Sequence, residues 1–176
     1  RADYFLNLLA FLTIYFFYIF PIFLSQNMWI QLFNFYKRNY IITFLIISLF
    51  LFYLSNYNIP QSAFTFGNGV FFKISNILEI KFIIYIISLL SIILIIFYNE
   101  NKIENFILLI CVFYMNPWFV IFQKYFDPML SIIFFTLINS DFISKNIIQE
   151  KLNLKILYIF NISFLIFANY YYILIK

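Results

Sequence analysis

Residues 81–98 read KFIIYIISLLSIILIIFY, and the only charged side chain among them is Lys81 at the first position. A membrane-spanning helix needs about 20 predominantly apolar residues, so this stretch is typical of one. The whole chain has the same character, with 65% hydrophobic residues, 10% charged residues and a mean hydropathy of +0.97. Since a globular domain carries about 25% charged residues, the composition predicts an all-α, polytopic membrane protein.

Six apolar segments qualify as candidate transmembrane helices. Their approximate bounds are Tyr4–Leu24, Tyr40–Tyr57, Lys81–Tyr98, Asn105–Phe122, Tyr125–Phe142 and Leu154–Ile175. No linker or change of composition divides them, so we expect residues 1–176 to form a single transmembrane domain. Because the chain begins with Arg1 instead of Met, we also expect it to be the C-terminal part of a longer protein.

The longest connection, residues 58–80, separates the second and third candidate helices. It contains both glycines of the chain, Gly67 and Gly69, and the order Phe-Gly-Asn-Gly predicts a tight turn there. From Val70 to Ile80 the apolar residues recur at helical spacing. This pattern favours a short amphipathic helix lying in the membrane interface, with a re-entrant segment as the alternative.

A compact polar cluster lies between the fourth and fifth candidate helices. It consists of Gln123, Lys124, Tyr125 and Asp127. Such groups are costly at membrane depth, so they must lie at the membrane surface or line a polar cavity. Two candidate helices separate the cluster from the glycine turn, which places both on the same side of the membrane. The ammonium of Lys124 is suited to contact a phosphate, and an ordinary surface pair with Asp127 is the alternative.

These patterns define the candidate substrate-binding residues and exclude several kinds of site. The candidates are Gln123, Lys124, Tyr125 and Asp127, together with Gly67, Asn68 and Lys73 from the long connection. The chain has no His, which removes His-based triads, haem ligation by His and the common zinc sites, and we expect no metal or other cofactor. A scattered net charge of +4 argues against nucleic-acid binding. The scarcity of ionisable residues within the candidate helices argues against ion-coupled transport.

One short motif resembles a known family. Residues 124–128, Lys-Tyr-Phe-Asp-Pro, look like the basic–aromatic–proline element that opens a late transmembrane helix in GT-C type glycosyltransferases, which use polyprenyl-phosphate-linked sugars. The layout of roughly residues 60–140 is also similar, more distantly, to the dolichyl-phosphate-glucose-dependent α-1,2-glucosyltransferase family. The His and Arg residues which that family has around its late polar segment are missing here, which leaves the sugar and the acceptor open.

The resemblance implies a lipid-linked sugar donor bound at the outer face of the membrane, with Lys124 at the phosphate of the lipid carrier. It also implies a catalytic carboxylate in an outer loop near the N-terminus, for which this chain has no evident equivalent. The catalytic residue is therefore unassigned, and Asp3 lies too near the start of the chain to be chosen.

Two other kinds of protein fit the same features. One is a polysaccharide polymerase, ligase or flippase that handles lipid-linked glycans, and the other is a non-catalytic subunit of a membrane complex. The sequence leaves open whether the chain is itself an enzyme and what its oligomeric state is. We expect membrane lipid as its surroundings and the bacterial inner (cytoplasmic) membrane as its location. Lys37 and Arg38 favour a cytoplasmic position for the loop that holds them.

Overall fold

The computed structural model describes residues 3–21, 26–65, 68–98, 103–114 and 151–175, together with Gln123, Leu130, Ile132, Ile133 and Leu137. Within these ranges the chain forms helices and no strand, so the prediction of an all-α fold is confirmed there. The helices are α1 (Tyr4–Ile19), α2 (Gln26–Arg38), α3 (Tyr40–Ser55), α4 (Ser62–Thr65), α5 (Val70–Ile77), α6 (Phe82–Tyr98), α7 (Ile103–Tyr114) and α8 (Lys151–Ile175).

Most of the predicted apolar segments correspond to helices. Four of them overlap α1, α3, α6 and α8 closely, and α7 covers the first part of a fifth. The segment predicted from Tyr125 to Phe142 lies almost wholly outside the described residues. Helix α2 was not predicted, because Gln31, Asn34 and Lys37 interrupt its apolar residues and lower its hydropathy.

A helix has to be long and apolar to cross a membrane, so the observed helices can be compared with the predicted spans. In the part of the chain that the structure describes, no single helix is both long enough and apolar enough to cross a membrane. Residues 28–38 and 43–55, which belong to α2 and α3, meet the length and composition criteria together, but the two helices are bent by 95° at the break between them.

Helix α1 is the centre of the described structure. Leu9, Ala10, Tyr15 and Ile19 are completely buried, which is typical of a helix covered on all sides. It packs along α6, and aromatic rings attach two further helices to it. The ring of Phe113 in α7 lies 5.6 Å from that of Phe11, and the ring of Phe164 in α8 lies 4.6 Å from that of Phe17. The other elements are therefore arranged around α1.

Two small residues, Ser88 and Ser91, lie among the large apolar residues of the buried stripe of α6. Ile84, Ser88 and Ser91 are all completely buried and follow one another at helical spacing. In α1, Ala10 is buried, and the Thr13 hydroxyl donates to the Ala10 carbonyl at 2.9 Å. Short side chains allow helix backbones to approach closely, as in many helix pairs within membranes. This composition suits the tight packing of α1 along α6.

A polar network joins three helices at one end of the bundle. The Asp3 carboxylate caps α1 by accepting from the Leu6 N–H at 3.0 Å, and its second oxygen accepts from the Tyr57 hydroxyl at 2.5 Å. The Tyr57 carbonyl in turn accepts from the Tyr85 hydroxyl at 3.0 Å. The start of α1, the end of α3 and the start of α6 therefore lie together, so α1 and α6 run in the same direction.

Helix α2 is attached to the other half of α6. The Tyr36 hydroxyl donates to the Ile93 carbonyl, and the Phe35 ring meets the Phe97 ring edge-on at 5.4 Å. Trp29 and Phe33 on the same helix are exposed. The mixture of apolar and polar residues in α2 is therefore that of an amphipathic helix with one face on the bundle.

Replacing Ser91 by leucine should destabilise the protein by about 1–3 kcal/mol, because the buried stripe of α6 has no room for the larger side chain. Ser91→Ala keeps the packing and should be nearly neutral. Ser55→Leu, at an exposed position on α3, is the matched control. Chemical denaturation of the four proteins measures the difference, and equal stability of the Ser91→Leu and Ser55→Leu variants would contradict close packing around α6.

Replacing Tyr57 by phenylalanine should lower the free energy of unfolding by about 1 kcal/mol at pH 8, because a hydrogen bond to a carboxylate is lost. Burial, and after it the interaction with Asp3, raises the pKa of the Tyr57 hydroxyl above its ordinary value. Because the hydroxyl holds its proton more tightly in the folded protein, its contribution to stability is fully present below the unfolded tyrosine pKa of about 10. Above that pH the unfolded state loses the proton first, and the contribution of Tyr57 is lost.

The stability difference between the original protein and Tyr57→Phe should therefore shrink between pH 9 and pH 11. Denaturation curves across this range test it. Tyr53→Phe, which removes an exposed hydroxyl from the end of α3, serves as the matched control. A stability difference between the original protein and Tyr57→Phe that grows with pH would contradict a raised pKa of Tyr57 in the folded state.

Candidate functional site

The described part of residues 58–80 forms a helical hairpin. Its two arms, α4 and α5, pack against each other, and the rings of Phe64 and Phe72 lie 5.7 Å apart between them. At the tip, Asn68 and Gly69 have φ values of 57° and 93°, which are left-handed conformations that Asn and Gly adopt most readily. The Asn68 side-chain amide donates to the Ala63 carbonyl at 2.8 Å and so fastens the tip to the end of α4. The predicted tight turn is thus observed at Asn68 and Gly69.

The hairpin extends along α1. A Cβ atom added to Gly69 would lie 3.0 Å from Ile14, and the Phe71 ring lies 5.8 Å from that of Phe16. At 1.5 Å per residue, Ile14 is about 16 Å along α1 from Asp3. Yet both ends of the hairpin adjoin the Asp3 network through Tyr57 and Tyr85. The described part of the segment therefore runs along α1 and returns to the same end of the bundle. The interfacial position of α5 and its re-entrant alternative both stay predictions.

Gln123 meets the tip of this hairpin. Its side-chain oxygen accepts from the Val70 N–H at 2.9 Å, although the two residues are 53 positions apart in the sequence. Val70 is the first residue of α5, whose leading N–H groups have no partner within the helix. Gln123 therefore caps α5 and joins two features that the sequence singled out separately, the glycine turn and the polar cluster.

Two buried polar atoms at the tip have no hydrogen-bond partner among the described residues. They are the side-chain oxygen of Asn68, an acceptor, and the side-chain nitrogen of Gln123, a donor. An unpaired buried polar atom costs about 1–3 kcal/mol. A hydroxyl group or a water molecule could satisfy either atom, so the tip has the chemistry to bind a polar ligand.

The other predicted site residues have different positions. Lys73 lies on an exposed part of α5, and Asn68 is completely buried in the turn. Gly67, Lys124, Tyr125 and Asp127 lie outside the described residues. Asp3 uses both carboxylate oxygens, one for the α1 cap and one for Tyr57, which suits an anchoring role. Among the described residues, no group of three His, Cys, Asp or Glu side chains is placed to hold a metal ion.

The far end of α5 has an unusual residue. The Ile80 N–H donates to the Ser75 carbonyl at 3.0 Å and the Glu79 N–H donates to the Asn76 carbonyl at 3.2 Å, which is the Schellman pattern of helix termination. Glu79 occupies the left-handed position of this motif with a φ of 58°, where glycine is the usual residue. Sequence reasoning missed Glu79, because neither glycine nor asparagine signalled this turn.

Glu79→Gly should stabilise the protein by about 0.5–1 kcal/mol, because it removes the steric penalty of a side chain in the left-handed conformation. The gain is smaller than the full penalty because glycine also adds freedom to the unfolded chain. Glu79→Ala keeps the Cβ atom and loses the carboxylate, so it should give no comparable gain. Thermal unfolding of both variants separates the two effects, and a greater gain in the alanine variant would contradict backbone strain at this position.

Comparison with known proteins adds no further constraint on the site. No family model, curated protein or solved structure matches this chain. The chemistry of the hairpin tip has to be inferred from its own residues and from the sequence motifs next to them.

Proposed function

We propose that this chain is part of a membrane glycosyltransferase that uses a sugar donor linked to a lipid phosphate, bound at the outer face of the membrane. The observation that supports this most directly is the hydrogen bond between Gln123 and Val70. It brings Gln123, the residue directly before the phosphate-binding candidate Lys124 in the sequence, to the hairpin tip. The polar cluster to which both residues belong carries the motif that resembles GT-C type glycosyltransferases.

The position of Gln123 suits the binding of an anion close by. It lies at the N-terminus of α5, where the helix dipole and the unpaired N–H groups favour negative charge. Lys124 and Tyr125 follow Gln123 directly in the sequence and offer an ammonium and a hydroxyl. In our proposal the carrier phosphate binds Lys124, with Gln123, Tyr125 and Asp127 shaping the pocket around it.

Exposed apolar surface supports a location in the membrane. Phe44, Ile103 and Ile166 expose 72%, 74% and 66% of their surface, and large apolar residues are exposed along every helix longer than ten residues except α1, where only Tyr4 is. Surfaces of this kind mark contact with lipid or with other proteins. The hydroxyls of Ser48 and Ser55 on α3 donate to carbonyls of their own helix, at 2.9 and 2.8 Å, which satisfies them without water.

The reaction that we propose is a substitution at the sugar. The oxygen of an acceptor hydroxyl attacks the anomeric carbon, the bond from that carbon to the phosphate oxygen breaks, and the phosphate keeps the electron pair. A positive group at the phosphate stabilises the charge that develops there, which is the role we give Lys124. The acceptor proton passes to a base other than Asp3, because Asp3 is engaged in the α1 cap and with Tyr57.

Lys124→Ala in the full-length protein should reduce sugar transfer at least about 100-fold, since removing one group that stabilises a developing charge costs roughly this much. Lys124→Arg keeps the charge and should retain more activity. Lys155→Ala, which removes an exposed lysine at the start of α8, is the matched control. Transfer is measured as movement of radiolabelled glucose or mannose from polyprenyl phosphate to acceptors in membranes of the expressing host.

Unchanged transfer by Lys124→Ala, at equal expression, would contradict the phosphate role. Binding of polyprenyl phosphate with no transfer of either sugar, in the complete protein, would instead favour the flippase or non-catalytic alternatives.

A further inference from the structure

The open end of the hairpin contains a second polar feature, separate from the tip. It is a pocket of about 280 Å³, which we call the mouth pocket. Its lining residues come from the start of α4, the end of α5 and the residues just after it: Gln61, Phe64, Ser75, Asn76, Glu79 and Lys81. None of these residues belongs to the candidate phosphate site.

The mouth pocket has a fixed floor and a polar rim. Phe64 and Ser75 form the floor, since only 3% and 1% of their surface is exposed. The Ser75 hydroxyl donates to the Ile80 carbonyl at 2.8 Å, so toward a ligand its oxygen can only accept. The Lys81 ammonium lies 5.7 Å from the centre of the Phe64 ring, a cation–π contact that holds the lysine over the floor.

The rim combines hydrogen-bond donors and acceptors with no net charge. Gln61 and Asn76 supply two carboxamides, each able to donate and to accept, while Glu79 accepts and Lys81 donates. The carboxylate and the ammonium offset each other, so the rim has no net charge that would favour an anion or a cation. A neutral molecule with several hydroxyl groups can use all four side chains. The pocket volume is just below the roughly 300–1,000 Å³ of sites for drug-sized ligands, so a single ring fits better than a chain of rings.

Glu79 adds a second, independent reason to expect a ligand. It holds a left-handed conformation that glycine would adopt without cost, with a φ of 58°. Backbone strain of this kind concentrates at binding sites, where a side chain is needed in spite of the cost. Here the side chain is a carboxylate on the wall of the mouth pocket.

We infer that the mouth pocket binds a single neutral sugar unit, with Gln61, Asn76, Glu79 and Lys81 hydrogen-bonded to its hydroxyl groups. This inference goes beyond the proposed function, because a free sugar suffices and neither the lipid carrier nor transfer is required. If the proposed function is also right, the pocket is the place for the sugar of the donor or of the acceptor.

The test is direct binding to the purified full-length protein by saturation-transfer NMR and calorimetry. The neutral probes are glucose, galactose, mannose and N-acetylglucosamine, and the charged probes are glucosamine, glucuronate and phosphoethanolamine. We expect at least one neutral sugar to bind more tightly than every charged probe. Asn76→Ala and Glu79→Gln should each weaken that sugar at least tenfold, whereas Asn58→Ala, an amide on the same hairpin that does not line the pocket, should leave it unchanged.

Three results would overturn the inference: no binding of any neutral sugar, binding that survives both pocket variants, or tighter binding of phosphoethanolamine, which would indicate a zwitterionic lipid headgroup instead. Lys124→Ala separates this inference from the proposed function. It should reduce transfer at least about 100-fold and leave free-sugar binding intact. Sugar binding without any transfer would therefore support the pocket and reject the transferase, and transfer without free-sugar binding would do the reverse.

Discussion

The packing of α1 along α6 is the constraint on which the other described elements depend. The two helices start from the same end of the bundle, where Asp3, Tyr57 and Tyr85 are hydrogen-bonded, and short side chains such as Ala10 and Ser91 suit their close approach. Because α1 is covered on all sides, every neighbour has to fit against it. The hairpin packs Gly69 against Ile14 of α1, where a Cβ atom on residue 69 would lie only 3.0 Å from the isoleucine side chain. The close packing of the central helices thus determines how far the hairpin can enter.

Polar groups in this apolar chain fall into two sets. In the first set, each group is satisfied locally: Ser48 and Ser55 bond to their own helix, and Tyr36 reaches the Ile93 carbonyl. In the second set, a buried polar atom has no partner in the described structure: Asn68 and Gln123 belong to it, as do Tyr18 in α1 and Ser88 and Ser91 in α6. Since burial of such an atom is costly, the second set marks where a ligand, water or another part of the protein is needed. Two of these atoms, from Asn68 and Gln123, lie together at the hairpin tip.

Helix α5 connects the two proposed binding regions. Its first N–H group meets Gln123, beside the candidate phosphate site, and its last turn ends in the strained Glu79 at the mouth pocket. Eight residues of helix span about 12 Å. The two proposed binding regions therefore involve opposite ends of one short helix.

Local patterns in the sequence determined the existence of most helices and the position of the turn. Long apolar runs predict α1, α3 and α6 because burial of apolar surface dominates any other preference there, and Asn68 with Gly69 predicts a left-handed turn because few other residues tolerate it. Helix α2 was not predicted, because its polar residues lower its mean hydropathy. The polar cluster was recognised from its contrast with the apolar residues around it.

Only the tertiary structure decided how these pieces meet. An amphipathic helix such as α5 can place its apolar face on a membrane interface or on other helices, and nothing in its sequence distinguishes the two. The bond from Val70 to Gln123 joins residues 53 positions apart, and the mouth pocket combines side chains from both arms of the hairpin. Such contacts depend on the packing of whole helices against α1. The sequence by itself therefore determined which segments are helical and which residues are polar, and the packing decided which of those polar residues form a site.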